Sequence, residues 1–146
     1  MAYLNNTYRY QHEGLLLLRI GIGISFFLHG WPKITGGPEM WALVGGAMET
    51  FGITFGAMFF GFLASFAETF GGLCLLLGLF FRPMTLLLLS TMTVATLKHI
   101  SDGDDFNTFS HALEAAILFL SLFFIGPGRY SLDQAFFGTR DFAPRI

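Results

Sequence analysis

Apolar residues in this chain come in long runs with almost no polar interruption. Four stand out, at about 15–31, 51–81, 84–99 and 108–125. A helix that crosses a bilayer needs about 20 apolar residues, within a range of about 17–25. The first, third and fourth runs sit at the short end. The second is long enough to tilt or to begin in the interface. The pattern predicts an all-α fold, an integral membrane four-helix bundle. Arg82-Pro83 separates the second and third runs, and a short acidic stretch from Ser101 to Asn107 separates the third and fourth. Connections this short make both pairs antiparallel neighbours. Gly126-Pro127-Gly128 stops the fourth helix. After the first run, Gly36-Gly37-Pro38 breaks the chain. Met40, Val44, Ala47, Met48 and Phe51 then recur at helical spacing, with Trp41 among them. That spacing predicts a short interfacial helix in the first outer loop, capping the bundle. An irregular loop is the alternative, because Gly45 and Gly46 each lower helix propensity by about 1 kcal/mol.

Composition supports the membrane reading. Of the 146 residues, 53% are hydrophobic and 12% charged, where a soluble domain carries roughly 25% charge. Nineteen Phe and eighteen Gly suit helices packed closely in lipid. A net charge of −2 gives no basic surface for nucleic acid. The single cysteine, Cys74, rules out an intramolecular disulfide and reads as inert packing. The first run ends in Phe26-Phe27-Leu28-His29 with no small-x-small cleavage site, so it reads as an uncleaved first span. Four spans put both termini on one side. That side holds Arg9, Arg82, Arg129, Arg140 and Arg145, with Arg19 just inside, against Lys33 and Lys98 on the other. The excess marks the terminal side as cytoplasmic. Residues 1–146 read as one membrane domain with a cytoplasmic tail at 126–146.

The candidate chemistry lies inside the runs. His29, Glu68, His99, His111 and Glu114 are ionisable groups in otherwise apolar segments. Counting 1.5 Å per residue from the cytoplasmic edge puts them at about 18–24 Å, a single layer in the outer half of the bilayer. Such groups are costly in hydrocarbon and favour a bundle interior. Gly21, Ser25 and His29 share one line on their helix, as do Gly61, Ser65, Glu68 and Gly72; Thr96 shares a face with His99, and His111 with Glu114. The layer is therefore expected to line an internal pocket. Three imidazoles and two carboxylates suit a transition metal, with His29, His99, His111 and Glu114 as the ligand candidates. The same groups suit a quinol, with Glu68, His111 and Glu114 as proton acceptors and His29, Lys33, Glu68 and His99 holding the ring. A haem between His29 and His99 or His111 is a further option. The structural alternative makes all five hydrogen-bonded glue between helices. Lys33, Lys98 and Arg19 are expected to snorkel to the nearer interface.

The chain resembles the DoxX family of small membrane proteins. Leu18-Arg19-Ile20-Gly21, His29-Gly30 with Lys33, Glu68 with Gly71-Gly72, Gly78-Leu79, Arg82 and the closing Gly126-Pro127-Gly128-Arg129-Tyr130-Ser131-Leu132-Asp133 carry the likeness. It implies a four-helix bundle in the bacterial cytoplasmic (inner) membrane and an association with quinone-linked oxidoreductases. Arg19, Lys33, Glu68 and Arg129 match its recurrent polar positions. The leading expectation is an inner-membrane subunit of a quinone-linked redox system. Its expected partners are lipid and a peripheral redox protein, because no cysteine set for an iron–sulfur cluster and no Gly-rich nucleotide fingerprint occurs. A homo-oligomer is compatible with the pattern. The rival readings are a copper- or zinc-handling membrane protein and a non-catalytic assembly subunit.

Overall fold

A computed structural model describes residues 10–138. Among them there is no strand. The elements are α1 (Gln11–Thr35), α2 (Gly37–Gly45) running into a 3₁₀ turn (Gly46–Phe51), α3 (Ala57–Leu77), α4 (Phe81–Asp102), α5 (Phe106–Ile125) and α6 (Leu132–Phe137). Four of them, α1, α3, α4 and α5, are long and apolar enough to cross a membrane. This is the expected four-helix bundle, with shifted edges. The first span runs 11–35 rather than 15–31, because Pro32 falls in its last turn, where the loss of one donor ends the helix within a few residues instead of kinking it. The second begins at Ala57, not at 51, because Gly52 and Gly56 take left-handed conformations that break the chain on either side of Ile53. It stops at Leu77, where Gly78 is also left-handed. The third and fourth extend to 81–102 and 106–125.

The helix foreseen in the first outer loop forms despite its glycines, and they are what hold it. A Cβ on Gly45 would overlap the Ala57 carbonyl, and one on Gly61 would overlap the Trp41 carbonyl. The backbones of α2 and α3 therefore touch, as small residues allow in membrane helices. The Trp41 and Phe62 rings pack edge to face at 5.0 Å, and the Trp41 indole donates to the Lys33 carbonyl at 3.1 Å. The α2 helix thus lies alongside the first turns of α3.

The stretch expected as a tail is partly structural. Residues Pro127 to Asp133 fold back under the bundle, and α6 is capped by the Ser131 hydroxyl, which accepts from Gln134 N–H. Asp133 accepts from the backbone N–H groups of Phe80 and Phe81, at 2.8 Å each, and its own N–H donates to the Gly78 carbonyl. Phe80 is held in the left-handed region, with φ 46°, which is uncommon for a bulky residue. Asp133 fixes that turn and so sets the α3–α4 crossing. The expected tail from 139 onward lies outside the described residues.

Candidate functional site

Glu68 sits in a one-turn π-helical bulge, Ala67–Gly71, in the middle of α3. Such bulges often mark functional sites, because one extra residue re-aims the side chains around it. Here Ala67, Glu68 and Thr69 are all buried. On the facing helix, Gly30 makes the contact possible: a Cβ there would overlap the Thr69 backbone nitrogen. Gly23 and Gly72 meet in the same way one to two turns away. Drawn this close, α1 lets Lys33 reach across, and its ammonium donates to both oxygens of Glu68 at 2.6 and 2.8 Å. Side-chain exposure is 35% for Lys33 and 4% for Glu68. Lys33 therefore does not snorkel outward. It turns inward, because a buried carboxylate offers a better partner than the interface.

Beside this pair lies a cavity of about 260 Å³. Its walls come from α2 and the 3₁₀ turn (Val44, Met48), from α3 (Phe60, Ala64) and from α4 (Thr91, Val94). Among the described residues, Lys33 and Glu68 are the only charged ones lining it, and the lining is otherwise almost wholly apolar. Leu63 and Ser90, both exposed, also border it, so the cavity communicates with the lateral surface. The buried hydroxyls of Ser65, Thr69, Thr85 and Thr96 each donate to the carbonyl four residues back. They are satisfied within their own helices and do not compete for a ligand.

The other members of the anticipated layer are placed apart from it. His29 and His111 are exposed, with ring centroids 6.3 Å apart across the α1–α5 seam. Glu114 is exposed on the same side of α5. His99 lies in the last turn of α4, and its Nδ1 is 2.7 Å from the Asp104 carboxylate in the α4–α5 loop. No three His, Cys, Asp or Glu side chains come together as a metal-ligand group among the described residues. The layer thus separates into a buried Lys33–Glu68 pair, a lateral His29–His111–Glu114 group and a surface His99–Asp104 pair. The depth count itself shifts as well: measured from Leu77, Glu68 is about 13 Å in, close to mid-span rather than in the outer half.

Arg19 does not snorkel either. It is 1% exposed, and its guanidinium donates to four backbone carbonyls: Leu75 at 3.1 Å, Leu76 at 3.2 Å, Pro127 at 2.5 Å and Tyr130 at 2.9 Å. Two of these acceptors, the Leu75 and Leu76 carbonyls, lie in the last turn of α3, where a cation also complements the helix dipole; the Leu75 carbonyl accepts from Gly78 N–H as well. The sequence contained the donor and its acceptors, but the acceptors are backbone atoms and leave no side-chain signal. Asp133 was likewise visible only as part of a motif. Cys74 is a partly buried free thiol.

The DoxX family model matches residues 14–100. That span includes Arg19, His29, Lys33, Glu68 and His99, and leaves out His111, Glu114 and the closing Gly126–Asp133 stretch. No curated protein and no solved structure matches the chain.

Proposed function

This chain belongs to the DoxX family, and from that premise we propose that the cavity beside Lys33 and Glu68 is a quinone site serving a redox partner in the bacterial inner membrane, with both termini cytoplasmic. The observation that carries the reading is an apolar cavity, open to the lateral surface, whose charged walls among the described residues are one ion pair with a buried carboxylate. A pocket of that kind suits a flat apolar ring with polar oxygens better than it suits an ion or a sugar. A quinol held there would supply two-electron, two-proton redox chemistry, with a redox partner as the oxidant.

The chain's own residues do the rest. Lys33 is placed to donate a hydrogen bond to a ring oxygen, since an ammonium has three donors and two point at Glu68. The Glu68 carboxylate, within the same pair, would accept one of the two protons released on quinol oxidation. Phe60, Val94 and Met48 exclude water from the ring. Trp41 ties α2 to the Lys33 backbone, which keeps the ammonium in place. His99, His111 and Glu114 have no part in this scheme.

The test is a titration of purified protein, in a Trp31→Phe background, with a short-tail ubiquinone analogue that quenches Trp41 fluorescence. Saturable binding is expected, weakened about tenfold or more in Glu68→Gln and Lys33→Met, the usual scale for hydrogen bonds to charged groups. Unsaturable quenching, or equal affinity in both variants, would overturn the reading. Membranes carrying Glu68→Gln should also lose quinol-dependent reduction of a soluble one-electron acceptor.

A further inference from the structure

The seam between α1 and α5 carries groups that a lipid-facing surface does not favour. His29, His111 and Glu114 are exposed there, and within the described residues none has a hydrogen bond or ion pair. Counted from the helix ends at Thr35 and Phe106, they lie about 9, 8 and 12 Å below the outer ends. Ionisable side chains at such depth face protein or water-filled space. This chain's own interior cannot take them. The core side of α5 is filled by Ala112, Ala115, Ala116, Phe119 and Leu122, and the Phe26 and Phe119 rings close the seam edge to face at 4.8 Å.

The surroundings favour another protein surface. Gly21 on α1 and Ser121 on α5 are exposed on the two lips of the seam, and Ser25 is half-buried between them. A Cβ on Gly21 would meet nothing within 4 Å. Small residues of this kind permit the close approach on which membrane helix association depends.

We propose that the α1–α5 seam is the contact face between two copies of this chain. Two copies with one topology in one membrane are related by an axis along the membrane normal, so each residue meets partner residues of its own depth. A face used this way must carry donors and acceptors at the same level. This one does: Glu114 lies within about 4 Å in depth of both imidazoles. Glu114 of one copy then meets the partner's His111 or the partner's His29, and symmetry makes the contact twice. A membrane protein of another kind would have no need for a face that complements itself.

The experiment uses the full chain in lipid vesicles. In a Cys74→Ala background, Ser121→Cys, exposed on the α5 lip, is expected to form an oxidant-induced disulfide dimer, while Leu86→Cys, exposed on α4, is not. By energy transfer between labelled copies, the His111→Leu/Glu114→Leu double variant should need about tenfold more protein per lipid to associate. Quinone-analogue binding at Lys33–Glu68 should survive in that variant, which separates failure here from failure of the quinone reading. A wild type that stays monomeric at every density, a double variant that associates like wild type, or a Ser121→Cys variant that cross-links no better than Leu86→Cys would each overturn the proposal.

Discussion

Replacing Lys33 by Met tests what the ion pair contributes. The substitution keeps the side chain's length and removes its charge, leaving the Glu68 carboxylate 4% exposed with no cation. Breaking a buried pair from one side costs about 3–5 kcal/mol. Lys33 is itself one-third exposed, and solvent already screens part of its interaction, so the loss here is expected nearer 2–3 kcal/mol. Glu68→Gln should cost less, about 1–2 kcal/mol, because the ammonium retains an acceptor and can extend toward the interface. The double variant Lys33→Met/Glu68→Gln leaves no uncompensated charge. It should fall well short of the sum, with a coupling of about 1–2 kcal/mol. The assay is reversible unfolding in mixed detergent micelles, followed by tryptophan fluorescence and run as a complete double-mutant cycle. Additive effects, or a Lys33→Met variant within about 0.5 kcal/mol of wild type, would refute the assignment of a coupled, desolvated pair.

Three further outcomes follow from other contacts. Gly45→Ala should separate α2 from α3, because its Cβ meets the Ala57 carbonyl; a loss of about 1–3 kcal/mol is expected, with weaker quinone-analogue binding in the same sample. Arg19→Met should remove four hydrogen bonds to backbone carbonyls, leaving those of Leu76, Pro127 and Tyr130 without the guanidinium donor, and cost about 3 kcal/mol or more, seen as faster proteolysis near Pro127–Tyr130 and early unfolding, whereas Arg19→Lys should recover only part of the loss. Asp105 caps α5 outside the membrane, and its hydrogen bonds from the Thr108 hydroxyl and N–H hold its carboxyl below the usual carboxylate range. A group with a depressed folded value contributes stability that is present above its unfolded value, about 3.9, and is lost as pH falls through the folded one. Hydrogen-exchange protection at the start of α5 should therefore fall in acid, and Asp105→Ala should abolish that pH dependence; an unchanged acid profile in the variant would rule out Asp105 as its source.

The runs of apolar residues, the two short connections and the glycine breaks were enough to establish a membrane bundle and the order of its helices. Hydrocarbon demands long apolar segments with internally satisfied backbones, and that demand is written in one dimension. The family likeness was readable too, since Arg19, Lys33, Glu68 and their flanking glycines stand in the chain as plain letters. Depth along a helix is also a one-dimensional quantity, which is why His29, Glu68, His99, His111 and Glu114 could be grouped, although the observed helix ends move Glu68 toward mid-span. Direction around the helix is not. The π bulge at Ala67–Gly71 turned Glu68 inward, the Gly30–Thr69 contact brought Lys33 within reach, and the aromatic plug of Phe26 and Phe119 left His29, His111 and Glu114 outside. Arg19 found backbone carbonyls from two segments, the end of α3 and the stretch after α5, that meet it only once the bundle has closed. Those choices depend on which backbones can touch and which cannot, a property of packed helices that no single segment contains.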